Sequence, residues 1–293
     1  MSESNLTIAL AQRTPQPVDA PLDGFSADVV STLQAHPGVD MLVYPELHLC
    51  GTEHLPTDER AAALERAAVP LDGSFVAELG SIAAKHGVWL CPGSIGERGP
   101  QGEFFNTQLL FDPSGALREA YRKMFPWRPF EPHRPGTEFA VQDLDGRGVA
   151  GLSICYDAWF PEHARQLAWL GADLVLNVVK TTTPDREQEL VLARANAIVN
   201  QNVVASVNCA APVGRGRSIV VDAEGFTIAE AGVGEQTLVF DFDPARVAEL
   251  RERGTMGSNR MWAQFREDDN PIPLPLYAGR IDPMTWAPRD LRP

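Results

Sequence analysis

Four side chains in this sequence have the types and settings that bond-breaking chemistry needs. Cys155 closes the apolar run Gly151-Leu-Ser-Ile-Cys, with a helix expected from about Pro161. A thiol at the C-terminal end of a buried strand sits at the rim of an α/β sheet, where backbone N–H groups can stabilise a thiolate or an oxyanion. A structural cysteine leaves the same local pattern, since free cysteine is among the most buried residue types. Glu46 follows a short apolar run in Val43-Tyr-Pro-Glu-Leu-His48. It reads as a loop residue, a paired structural acid or a general base, because an unpaired carboxylate is costly to bury. Lys123 ends a hairpin strand in Tyr121-Arg-Lys-Met-Phe-Pro-Trp127. It is either a solvated lysine or a cation facing a partly dry pocket. Glu131 follows in Pro129-Phe-Glu-Pro-His133, as a loop carboxylate or as an acid that aligns substrate and tunes the lysine. Together they form a set: a thiol nucleophile needs a base, and its oxyanion needs a cation or N–H donors.

These residues are useful only if the elements bring them to one edge. Strands are expected at Leu6–Gln12, Met41–Tyr44, Val88–Cys91, Asn106–Phe111, Ala116–Tyr121, Phe139–Leu144, Val149–Ile154, Leu174–Val179, Val203–Asn208, Ser218–Val221, Thr227–Ala229 and Thr237–Phe242. Helical spacing covers Phe25–His36, a stretch from Thr57 and Asp58 (both able to cap it) to about Ala68, Phe75–His86, Pro161–Leu170 and Arg186–Asn200. Alternating helices and strands with hairpins between them predict a layered α/β fold with a sheet covered by helices. Residues 1–265 read as one domain and 266–293 as an extended, proline-rich tail, packed on the body or a partner or else loosely attached.

The chain has 293 residues, 44% of them hydrophobic, enough for a large core. Its formal charge of −14 argues against a nucleic-acid surface. No apolar run reaches the roughly 18 residues of a membrane span, and the N-terminus lacks a signal-peptide pattern. The four cysteines lie far apart, as expected of thiols in a cytoplasmic protein. His48, Cys50 and His54 crudely suggest metal ligands, but their spacing matches no common zinc pattern. Gly214-Arg-Gly-Arg-Ser218 lacks a phosphate-loop context and reads as a loop before a strand.

Tyr-Pro-Glu at 44–46, Tyr-Arg-Lys at 121–123, and Cys-Tyr-Asp with Phe-Pro-Glu across 155–162 occur in one order, and in that combination the chain resembles the nitrilase superfamily of carbon–nitrogen hydrolases. The resemblance covers Leu6 to about Phe242. It implies a four-layer α-β-β-α sandwich and a catalytic triad of Glu46, Lys123 and Cys155. The stretch Arg-Lys-x-x-Pro-Trp-x-Pro-x-Glu is most similar to the aliphatic amidase branch, which implies a catalytic role for Glu131. Tyr156 after the nucleophile and a shorter tail depart from that branch, and the Cys-Tyr-Asp-x-x-Phe-Pro-Glu form also resembles carbamoylases and ω-amidases, whereas nitrilases usually carry Cys-Trp-Glu. The implied function is hydrolysis of a small amide to a carboxylic acid and ammonia through a thioester. An N-carbamoyl hydrolase is the alternative, followed by a nitrilase or an inactive binding protein. The backbone N–H of Tyr156 is the expected oxyanion donor, and Trp159, Lys180, Arg128 and His133 are candidates for substrate contact. Lys180, Arg128 and His133, with Arg134, Arg215 and Arg217, would either hold a substrate carboxylate or pair with acids such as Glu131, Glu138 and Asp185. No metal or organic cofactor is required. The family's pairing of subunits near the nucleophile, with the apolar stretch Phe160–Leu170, implies a homodimer or larger even-numbered oligomer.

Overall fold

The computed structural model describes residues 5–273 and residue 279. The first half of the chain supplies six strands of a seven-stranded sheet. Its early elements are β1 (Leu6–Gln12), α1 (Asp23–Ala35), β2 (Met41–Val43), α2 (Thr57–Arg66), α3 (Ser74–His86) and β3 (Trp89–Cys91). A meander follows: β4 (Ser94–Arg98), β5 (Phe104–Phe111) and β6 (Leu117–Arg122). The second half builds a six-stranded sheet from β7 (Val141–Asp143), β8 (Val149–Ile154), β9 (Leu174–Val179), β10 (Val203–Asn208), β11 (Ile219–Val221) and β12 (Thr227–Glu230). A 3₁₀ turn at Cys155–Trp159 leads from β8 into α4 (Pro161–Trp169), and α5 (Arg186–Asn200) connects β9 to β10. The last strand, β13 (Gln236–Phe242), returns to pair antiparallel with β1, and α6 (Pro244–Arg253) follows it.

Both sheets have a parallel centre, β1–β2–β3 in the first and β8–β9–β10 in the second, extended by antiparallel strands. Strand periodicity sorts the side chains into layers. Leu6, Ile8 and Leu10 face inward with Leu152, Ile154, Leu176, Val178 and Val207 of the other sheet. On the opposite face of β1, Ala9 and Ala11 pack with Phe25 and Val29 of α1 and Leu79 of α3. Val175 and Val204 pack on the far side against Leu167 of α4 and Leu190, Ala193 and Ala197 of α5. The result is the α-β-β-α sandwich that the motifs imply.

Most expected elements are present within a residue or two. The differences are local. Strand β4 and helix α6 were not expected from the sequence. Helix α2 begins at Thr57 after an extended Pro56, and neither Thr57 nor Asp58 caps it. Strand β7 is confined to three residues rather than running from Phe139 to Leu144. Of the expected tail, 266–293, only 266–273 and residue 279 lie among the described residues.

Candidate active site

Glu46 lies just past the C-terminal end of β2, at a place where the chain turns sharply. Leu47 takes a left-handed φ of 50°, and its N–H donates to Ser94 Oγ at 3.0 Å. The turn packs so closely on Gly93 (φ 89°) that a Cβ there would lie 1.8 Å from Pro45 O, so only glycine fits. Glu46 is 2% exposed, and both its oxygens are occupied. Oε1 accepts from Asn106 Nδ2 at 2.8 Å and Lys123 Nζ at 3.0 Å, while Oε2 accepts from the backbone N–H of Lys180 at 2.9 Å.

Lys123 follows β6 and is fully buried. Its backbone is pinned on both sides, with N–H to Asn106 O at 2.9 Å and the carbonyl accepting from Gly136 N at 2.8 Å. Nζ bridges Glu46 and Glu131, the latter at 2.6 Å. Burial disfavours the ammonium, but the Glu46 carboxylate, with those of Glu131 and Asp157, outweighs that penalty and holds it above the usual lysine range. Burial likewise works against the Glu131 carboxylate, yet Lys123, aided by His133, pulls it down to about 2. The Glu131 segment is a tight turn, with Glu131 N donating to Trp127 O at 2.9 Å.

Cys155 follows β8 with φ 48°, a left-handed backbone that a non-glycine residue adopts only where its surroundings impose it. The 3₁₀ turn is tied back by Asp157, whose Oδ2 accepts from Ile154 N at 3.0 Å. Burial and then the Glu46 carboxylate raise the Cys155 thiol well above its ordinary value, with Lys123 opposing them. The resting group is therefore a thiol, on which the Glu46 carboxylate acts.

The structure thus gathers Glu46, Lys123 and Glu131 into one ion cluster whose charges act on the Cys155 thiol. Tyr156 follows in the turn, its ring 5.8 Å from that of Trp159. His133 is buried against Phe104, ring centroids 4.4 Å apart, with Nδ1 3.8 Å from Glu131 Oε2. The other expected substrate cations are already engaged. Arg128 donates to the carbonyl of Glu131 and, at 2.6 Å, to that of His133, so it braces its own loop. Lys180 Nζ pairs with Glu53 Oε1 at 2.7 Å. Arg134 lies 3.8 Å from Glu103, Arg215 donates to Thr182 O, and Arg217 pairs with Glu187 and Glu230. These acids are not the ones the sequence suggested. On α5, Arg194 donates to Thr227 Oγ1. His48 is neutral, pushed to about 3 by burial, and stacks on Tyr44, while His54 sits 3.8 Å from Asp19. No cluster of three metal-capable groups occurs among the described residues.

Two sets of residues were missed by sequence reasoning. Asn106 is one of three consecutive buried polar residues in β5, with Thr107 and Gln108. Such a triplet inside an apolar strand is costly unless each member is bonded, and that was a legible signal. The second set is Tyr121, Asp157 and His163, joined through the Tyr121 hydroxyl.

A model of the carbon–nitrogen hydrolase family matches residues 7–252, and the chain belongs to this family. A formamidase from Pseudomonas syringae pv. tomato is 36% identical over 210 residues, covering 70% of this chain and 60% of the relative. The chain therefore spans about three fifths of the length of the curated relatives it matches. Among solved structures, Saccharomyces cerevisiae Nit3, a member of branch 10 of the nitrilase superfamily, superposes with a TM-score of 0.76 at 27% identity, covering 87% of this chain and 96% of that one. A cysteine-to-alanine mutant of the amidase from Nesterenkonia sp. AN1, in complex with butyramide, superposes with a TM-score of 0.67 at 27% identity, covering 84% and 94%. No described helix is long and apolar enough to cross a membrane.

Proposed function

We propose that this protein hydrolyses the carbon–nitrogen bond of a small, uncharged amide, releasing ammonia and a carboxylic acid. The observation that carries this reading is the buried Glu46–Lys123–Glu131 cluster acting on the thiol at the end of β8. Glu46 takes the thiol proton as Cys155 Sγ attacks the carbonyl carbon. Lys123 and the Tyr156 N–H hold the oxyanion. Glu46 returns the proton to the leaving nitrogen, the C–N bond breaks, and a thioester remains. Water then attacks with Glu46 as base, and the acid departs as Sγ regains a proton. Glu131 holds the Lys123 ammonium together with Glu46 and orients the substrate amide. No step calls on a metal or an organic cofactor.

The formamidase and amidase relatives support an amide substrate. The engaged cations support a neutral one. An N-carbamoyl acid carries a carboxylate, and Lys180, Arg128, Arg134, Arg215 and Arg217 already have acid or carbonyl partners. The proposed catalytic unit is residues 1–265, and four free thiols fit a reducing cytoplasm. Exposed Trp169 and Leu170 of the α4 end, with Val191, Ile198 and Val199 of α5, support pairing of two copies through these helices, which light scattering tests as a dimeric or larger even-numbered mass. The function is tested by ammonia release from matched amides, ureido acids and nitriles. Turnover of formamide or a short aliphatic amide is expected. Release only from ureido acids or nitriles would replace this reading.

A further inference from the structure

The residue that carries the nucleophile and the residue that carries the cation stand on different sheets, and their alignment depends on what crosses the gap. One crossing is buried and polar. Tyr121, on β6 two residues before Lys123, sends its hydroxyl to Asp157 Oδ2 at 2.8 Å, two residues after Cys155. The same hydroxyl lies 2.8 Å from His163 Nε2 on α4 and accepts from Met124 N at 3.3 Å. Asp157 Oδ1 accepts from Phe125 N at 2.9 Å, and Oδ2 accepts from Ile154 N at 3.0 Å. One carboxylate therefore binds the backbone on the N-terminal side of the nucleophile and the backbone on the C-terminal side of Lys123.

Donor counting fixes the arrangement. A tyrosine hydroxyl has one proton and two lone pairs. Burial, and then Asp157, raise the Tyr121 phenol well above its usual range, so it keeps its proton and donates it to Asp157. Its lone pairs are then left for Met124 N–H and for His163, which must carry its proton on Nε2. Burial lowers the affinity of His163 for a second proton, which suits a neutral, fixed donor. Tyr121, Asp157 and His163 are each at most 1% exposed, so none of the three exchanges this bonding for water.

We propose that Asp157, with Tyr121 oriented by His163, is a positioning device for the reaction: it sets the Lys123 ammonium, and with it the oxyanion site, against the Cys155 sulfur. This rests on the catalytic reading of Cys155 and Lys123 given above. No member of the trio bonds to Lys123 Nζ or Cys155 Sγ; Asp157 reaches the ammonium only through its field. The trio's effect should therefore fall on the rate of the chemical step and spare substrate affinity, since displacement of about 1 Å at a reacting centre costs on the order of a hundredfold.

The test compares Tyr121→Phe, Asp157→Asn, their double variant and Cys155→Ala, with formamide and a short aliphatic amide as probes. Rates are expressed per active site, counted by stoichiometric iodoacetamide labelling of Cys155 and mass spectrometry, with folding followed by circular dichroism. Tyr121→Phe should lower kcat about 10- to 100-fold with KM within about threefold of the parent. The double variant should be little worse than the poorer single one, because the two groups act as a unit. A folded Tyr121→Phe with full kcat per labelled site would overturn the proposal, as would losses that multiply in the double variant. Failure of both single variants to fold would assign the trio to stability alone and overturn it equally. The underlying amidase reading is scored separately: it falls if Cys155→Ala still turns over, whatever the trio variants do.

Discussion

The two sheets contribute to the site in opposite ways. The first supplies charge: Glu46 after β2, Asn106 on β5, Lys123 after β6 and Glu131 in the loop beyond, all tied by side-chain bonds. The second supplies the proposed nucleophile and backbone geometry: Cys155 with φ 48°, the turn held by Asp157, and the Lys180 N–H that reaches across to Glu46. Charges placed by side chains can be buried together because they satisfy one another. Cys155 is placed by backbone instead, and at rest its thiol keeps its proton. The consequence is that neither sheet makes the site alone, and its geometry is as good as the polar bonds that cross between the layers. Besides Glu46–Lys180 and Tyr121–Asp157, these include Gln108, which donates to Leu176 O at 3.1 Å and accepts from Ser153 N at 3.0 Å.

Breaking the contribution of the second sheet should have the largest effect. Cys155→Ala is expected to abolish ammonia release with the fold retained, while Cys50→Ala, Cys91→Ala and Cys209→Ala keep most of it. On the first sheet, Glu46→Gln should lower kcat by at least about a thousandfold, the combined scale of a lost base and a disturbed oxyanion site. Steady-state kinetics on the purified variant checks this. Glu131→Gln should cost about a hundredfold in kcat/KM. It should also change the acid stability curve. Folding pulls the Glu131 carboxyl from 4.5 to about 2, so between those values the unfolded chain binds more protons at this group. Its stabilising contribution is complete above about pH 4.5 and is lost as pH falls toward 2. Denaturant titrations across that window should show a shallower pH dependence in Glu131→Gln. The smallest effect belongs to a crossing bond made to none of these charges: Gln108→Leu should cost about 1–3 kcal/mol of stability, through Ser153 N–H and Leu176 O left unpaired. Its kcat per folded molecule should fall only a few-fold.

The contrast between the sheets also explains what was legible in the sequence. Strand ends are visible as apolar runs that stop, so Cys155, Glu46 and Lys123 could each be placed at a rim before any coordinates. Their convergence was not visible, because it depends on which rims face one another. The motif order supplied it, through resemblance. Asp157 was quoted as part of a motif, and its bonds to Tyr121 and Phe125 N depend on a packing contact no local pattern encodes. Strand β4 was missed because Ser94-Ile-Gly-Glu-Arg98 has little β-propensity; its place is set by pairing with β5 and by the Glu97–Arg122 ion pair. Helix α6 was legible and overlooked: Asp243 caps Ala245 N at 3.0 Å, Pro244 opens the first turn, and Gly254 follows the last. The cations were misjudged for another reason. Lysine and arginine cluster near the cleft in sequence, but their partners Glu53, Glu187 and Glu230 come from other segments.

The central claim is that Cys155 becomes acylated in turnover, and trapping that intermediate tests it most directly. The protein is mixed with a short aliphatic amide, quenched in acid within the first turnovers, digested and analysed by mass spectrometry. The account predicts an acyl group on the peptide containing Cys155, absent from the peptides of Cys50, Cys91 and Cys209 and absent without substrate. Ammonia release at an undiminished rate from Cys155→Ala, with no acyl group on any cysteine of the parent protein, would contradict it.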